Sequence, residues 1–131
     1  MRIQGLPFYG ANITYKLGVV VPGEKGIRRR LGVKIPMFKG PLVSVCLDGE
    51  HKGDIIYDPN FMVIDDVVPG SHSLELVCYG NRYNSFGPLH MQDDKCIWFG
   101  PMCWYTQGDK WTDGYVLKES GIIGKPEIVI Y

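Results

Sequence analysis

Apolar and polar residues alternate with a period of two through most of the first eighty positions. "NITYKLGVVVP" sets Ile13, Tyr15, Leu17 and Val19 against small or polar neighbours. Because successive side chains of a strand point to opposite faces, this is the mark of a half-buried strand. "RRLGVKIPMF" repeats the pattern with Leu31, Val33 and Ile35, and "PLVSVCLDG" with Val43, Val45 and Leu47. Asp48-Gly49 then offers two residues able to take the positive φ angles of a type I′ hairpin turn. "GDIIYDP" is short and stops at Pro59, "FMVIDDVVPG" runs into a Pro69-Gly70 turn, and "SHSLELVCYG" puts Leu74, Leu76 and Cys78 on one face. No helical spacing interrupts these six strand candidates.

The last third is harder to read. "KCIWFGPMCWYTQGDKW" is rich in aromatics but broken by Gly100-Pro101 and Gly108, which predicts short strands or loops, followed by strands at "GYVLKES" and "PEIVIY". Eight or so short strands at spacings of about 8–12 residues predict an all-β domain, a β-sandwich or jelly roll spanning residues 1–131. The 17 glycines and 9 prolines suit its many turns, and a chain of this length buries roughly two-thirds of its unfolded surface without disulfide or metal support.

Charge narrows the function. Fourteen Lys and Arg balance fourteen Asp and Glu, so no net field draws in nucleic acid or an anionic membrane. Arg28, Arg29 and Arg30 alternate across a strand and read as a solvated hairpin flank rather than a phosphate patch. No stretch approaches the roughly 20 apolar residues that span a bilayer, and "MRIQGLPFYG" lacks the apolar core of a secretory signal. Cys46, Cys78, Cys96 and Cys103 form no C-x-x-C pair and are expected as free thiols, which favours a reducing, cytoplasmic setting.

The order of motifs is similar to a known family. "QGLPFYGANITYK" and "VSVCLDGEHKGDIIYDPNFMVIDDVVPGSHSLELVCYGNRYN" resemble the galactose-binding-like jelly-roll domain, the sugar-binding-like accessory domain of glycoside hydrolase family 2 and related bacterial glycosidases. Phe8, Tyr9 and Gly10 match the approach to its first strand, Asp48-Gly49 its tight turn, and Gly53 and Pro59 the segment that follows. Gly70 through Val77 match its next strand, and Asn81 and Asn84 the corner after it. The resemblance covers about the first two-thirds of the chain. It implies a non-catalytic module excised from or appended to a larger glycosidase, whose catalytic carboxylates reside in a barrel of about 250 residues.

Glycoside hydrolysis needs two opposed carboxyl groups roughly 5–10 Å apart. Asp65-Asp66 and Asp93-Asp94 are the tempting pairs, but neighbours on a strand face opposite ways. Ser85 and His90 share a loop without a nucleophile elbow, and His90, Cys96 and Cys103 are too widely spaced for zinc. No cofactor is expected, although the irregular oxygen shells that calcium accepts leave Asp93 and Asp94 open to it. Asn12 and Thr14 form an N-x-T pattern that matters only in a glycosylating pathway.

Carbohydrate binding needs flat aromatics beside planar hydrogen-bonding groups. Between Asn81 and Trp111 the chain offers both, and Tyr83, Asn84, His90, Trp98, Trp104 and Trp111 are the expected contact residues. The same composition also serves a structural corner, the first expectation for the Asn81–His90 loop since Asn81, Asn84 and Gly87-Pro88 can close a turn by themselves, or a docking surface. The expected partner is a carbohydrate or an adjacent catalytic domain. Two alternatives remain: a structural module docked on a catalytic domain outside this chain, and a small hydrolase relying on Asp94.

Overall fold

The computed structural model describes residues 5–93, 96 and 98–131. Among the described residues nine strands pair antiparallel throughout: β1 Ile13–Val21, β2 Arg29–Lys34, β3 Phe38–Lys39, β4 Val43–Leu47, β5 Glu50–Ile55, β6 Phe61–Val67, β7 Gly70–Cys78, β8 Gly121–Ile122 and β9 Glu127–Ile130. Contacts divide the chain into two compact units. One, the β unit, comprises Asn12–Gly80 and Gly121–Tyr131; the other, the loop unit, comprises Met1–Ala11 and Asn81–Ser120.

In the β unit, a four-stranded sheet of order β1-β7-β4-β5 and a three-stranded sheet of order β6-β2-β9 enclose one core, with β3-β8 as a separate two-stranded ladder. The alternation predicts which side chains go inside. Leu31, Val33 and Ile64 come from the smaller sheet, and Val43, Val45, Leu74, Leu76 and Cys78 from the larger; all are buried in one cluster. Removing this apolar surface from water, at about 25 cal/mol per Å², drives the sheets together. The expected all-β sandwich is therefore the observed fold of this unit.

Turn chemistry also follows the sequence. Asp48 and Gly49 take φ of 52° and 84°, the two positive values of the expected hairpin turn between β4 and β5. Arg28 and Arg30 are exposed while Arg29 is half-buried, as alternation requires.

Two expectations need correction. "GYVLKES" is not a strand: it is tied by isolated bonds, Val116 N–H to the Leu89 carbonyl and a clamp at Lys118, instead of a ladder. The alternation argument also fails at Asp65-Asp66. Pairing jumps from Arg29–Val67 to Leu31–Ile64, a β-bulge at which Asp66 takes φ 59°. A bulge breaks the period of two, and both residues line the same hollow.

Candidate functional site

The loop unit is built around the Asn81–His90 corner. The Asn81 side-chain oxygen accepts the Tyr83 N–H at 3.0 Å, starting a single helical turn, α1, Tyr83–Phe86. The Gly87 N–H closes it on the Tyr83 carbonyl at 2.7 Å. Ser85 Oγ donates to the Phe8 carbonyl at 2.7 Å, and at Gly10 a Cβ would stand 2.9 Å from both the Asn81 carbonyl and Ser85 Oγ. Glycine is thus required where the N-terminal segment passes the corner.

Asn84 is buried, and its amide works as a backbone group would. Its Nδ2 donates to the Lys118 carbonyl at 2.7 Å, and its Oδ1 accepts the Lys118 N–H at 2.9 Å. The Lys118 ammonium in turn lies over the rings of Tyr83 and Phe99, 4.5 and 4.3 Å from their centroids, and the two rings meet edge to face at 5.1 Å. Burial raises the Tyr83 phenol above its ordinary pKa, and the negative charge of Cys96 and Cys103 when deprotonated pushes it further. Tyr83 and Asn84 therefore hold this corner together.

His90 belongs to a second arrangement. A short antiparallel pairing ties Thr112 N–H to the His90 carbonyl and Gln92 N–H to the Lys110 carbonyl, bridging buried Met91 to Trp111. His90 Nδ1 lies 2.9 Å from the Thr112 carbonyl. A carbonyl only accepts, so Nδ1 carries the proton, and in the neutral ring Nε2 keeps its lone pair. The imidazole stacks on Trp111 with centroids 6.2 Å apart and meets Tyr115 at 5.0 Å; Tyr115 also meets Phe8 at 5.0 Å.

Beside His90 opens a hollow of about 130 Å³, lined by Gly87, Pro88, Leu89, His90, Cys103, Trp104 and Tyr105. It is smaller than the roughly 300 Å³ at which enclosed small-molecule pockets begin, so it can hold the edge of a ring but not engulf a ligand. Its walls are apolar with one imidazole acceptor and the half-exposed indole of Trp104. Trp98 is two-thirds exposed, and its ring lies over Gly100.

The structure thus brings His90 together with Trp104 in the hollow and with Trp111 in a stack. Tyr83 and Asn84 are committed to the Lys118 clamp. Tyr105 and Tyr115 were not among the expected contacts; the aromatic density of the segment pointed at them, but only folding shows which rings flank His90.

The other candidate chemistry falls apart on inspection. Ser85 Oγ donates to the Phe8 carbonyl and His90 Nδ1 faces the Thr112 carbonyl, and among the described residues no hydrogen bond joins the two side chains as a nucleophile–base pair. In the β unit, Ser44 and His51 both bond to Asp54, with the carboxylate at the centre, whereas nucleophile activation needs the histidine there. Asp54 is held below the usual carboxylate range by Ser44 and then His51, the opposite of what a general acid needs. Among the described residues no three His, Cys, Asp or Glu side chains converge as a metal site would. Asp94, on which the calcium and hydrolase alternatives depended, lies outside the described residues.

No protein-family model and no curated protein matches the chain. Among solved structures it is similar to a rhamnosidase from Novosphingobium sp. PP1Y, with 21% identity and a TM-score of 0.60 over 95% of this chain and 11% of that one. A second similarity, to a GH2 β-galacturonidase from Eisenbergiella tayi bound to galacturonate, has 29% identity and a TM-score of 0.42 over 70% of this chain and 16% of that one. The first shows a shared fold. The structural neighbours are glycoside hydrolases, and this chain spans only a small part of each.

Proposed function

We propose that this chain is a non-catalytic accessory module of the galactose-binding-like kind, belonging to a larger glycoside hydrolase and contributing carbohydrate contacts through the loop unit. The observation that carries the reading is the hollow at His90 and Trp104. A sugar ring edge entering it would place C–H groups against the Trp104 indole and a hydroxyl against His90 Nε2. Trp111 and Tyr115 hold the imidazole in place, while Tyr83 and Asn84 support the corner from behind. That this chain spans only 11% of the rhamnosidase chain whose fold it shares supports a small accessory role.

The test is a two-dimensional NMR titration of the labelled chain with neutral mono- and oligosaccharides at millimolar concentration, with rhamnose included because of the neighbour's name. A dissociation constant near 1 mM corresponds to only about 4 kcal/mol, so a sensitive method is needed. Expected are shifts clustered on Gly87–His90 and Trp104–Tyr105 that vanish in Trp104→Ala. Spectra unchanged across the panel would sink the reading.

A second reading rests on a different face. On the outer side of the three-stranded sheet, Val63, Gly32 and Val129 form one row, and the rings of Phe61 and Tyr131 close over Gly32, where an added Cβ would stand 2.8 and 3.1 Å from them. Phe61, Val63, Val129 and Tyr131 are all exposed, with Arg30, Lys34 and Glu127 beside them. An apolar row with charged neighbours fits docking on a catalytic domain of the same parent protein. It predicts weak self-association of the isolated chain in sedimentation, abolished by Val129→Lys; a strict monomer at high concentration would argue against it.

A further inference from the structure

Two of the four thiols converge on one atom. Cys96 Sγ lies 2.8 Å from the Trp98 carbonyl oxygen, and Cys103 Sγ lies 3.9 Å from the same oxygen. The separation of the two sulfurs therefore cannot exceed the sum of those lengths. The chain is folded back to achieve this. The Trp98 ring covers Gly100, and the Cys103 N–H bonds to the Gly100 carbonyl at 2.9 Å, winding Pro101–Cys103 into a 3-10 turn.

Cys46 and Cys78 are arranged differently. On the β4–β7 ladder Cys46 faces Glu75 and Cys78 faces Val43, so the cysteines are three ladder positions apart. At about 3.3 Å per residue that is roughly 10 Å between Cα atoms, beyond the roughly 7 Å limit for a disulfide.

We propose that Cys96 and Cys103 are a redox pair that closes a disulfide by exchange with a small-molecule disulfide such as oxidised glutathione. Cys96 is the more accessible, half-buried against the nearly buried Cys103, and so reacts first. Its thiolate attacks one glutathione sulfur, forming a mixed disulfide and releasing one glutathione thiolate. The Cys103 thiolate then attacks Cys96 Sγ, closing the intramolecular bond and releasing the second glutathione. Two protein thiols are oxidised, one glutathione disulfide is reduced to two thiols, and the protons go to solvent or to the released thiolates. Closure ties the two ends of the segment carrying Trp98 to each other, next to Trp104. The proposal rests on this local geometry and stands apart from the carbohydrate reading.

The test treats the reduced full chain with oxidised glutathione under native conditions and follows intact mass and peptide maps. Expected is a product lighter by two hydrogens, with Cys96 linked to Cys103, reversed by dithiothreitol, while Cys46 and Cys78 stay free. Cys103→Ser should stop at a stable glutathione adduct on Cys96, and Cys96→Ser should leave Cys103 reduced. A wild-type chain that accumulates only glutathione adducts, or links any other pair first, overturns the proposal. Because the wild-type map decides the matter, a variant that fails to fold does not blunt the test.

Discussion

His72 presents the sharpest residue-level consequence. Its side chain is only 8% exposed, and both ring nitrogens face acceptors: Nδ1 lies 2.6 Å from Asp48 Oδ2 and Nε2 lies 2.7 Å from the Val68 carbonyl. Both bonds exist together only when both nitrogens carry protons. The Asp48 carboxylate, and after it the Val68 carbonyl, accordingly raise the His72 pKa above the ordinary imidazole value, while His72 and then the Ser73 N–H hold Asp48 below the usual carboxylate range. A raised histidine pKa contributes stability that is complete below the unfolded value of about 6.5 and is lost as pH rises through the folded value. Asp48→Asn keeps the shape of the turn and removes the charge. The urea midpoint of the native chain should exceed that of the variant most in mildly acidic buffer, and the gap should narrow as the buffer becomes alkaline. A gap independent of pH would refute the pairing. Asn84 gives a second residue-level expectation: Asn84→Ala leaves both backbone groups of Lys118 without their partners, at a cost of about 1–3 kcal/mol in denaturant unfolding. Loss of exchange protection at the Lys118 amide would report the same event locally.

At the scale of elements, two glycines separate steric need from conformational need. Gly40 lies where an added Cβ would run into the Tyr79 carbonyl and stand 3.2 Å from Cys78 Sγ. A carbonyl in the backbone cannot swing aside, so Gly40→Ala should force β3 away from the end of β7, costing about 1–3 kcal/mol by overpacking. Gly49 has open space around it but φ of 84°, so Gly49→Ala strains only its own backbone, by about 1 kcal/mol. Thermal melts should rank Gly40→Ala as the more damaging of the two. The strands themselves were legible because burial on one face imposes a period of two, and Leu31, Val33, Val43, Val45, Leu74 and Leu76 obey it. Asp66 was not legible, because a bulge is set by the partner strand and leaves no mark in one strand's own pattern. The loop unit resisted for a related reason: its order comes from single bonds between distant residues, such as Asn84 to Lys118 and His90 to Thr112, and such bonds have no period. The aromatic composition located the candidate surface, but which polar groups were already committed to holding the corner could be learned only from the folded chain.

For the molecule as a whole, the distribution of ladders predicts where the fold opens first. β7 and β4 are paired on both sides in the larger sheet, and β2 is paired on both sides in the smaller. Their amides should exchange with solvent only through global unfolding, whereas amides of the described residues of 81–120, which belong to no long ladder, should exchange through smaller openings. Equally slow exchange in both regions would contradict this. The strand order also bears on how the protein is made. β2 is the middle strand of its sheet, yet the partner on one side, β9, pairs Ile130 with Leu31 and emerges from the ribosome roughly a hundred residues later. At elongation rates of about 5–20 residues per second, that edge of β2 waits roughly 5–20 seconds for its last neighbour, with the whole Asn81–Ser120 segment synthesised in between. During that interval β2 is paired with β6 alone and its other edge stands bare, so four-residue β9 acts as a stitch that covers an adhesive edge.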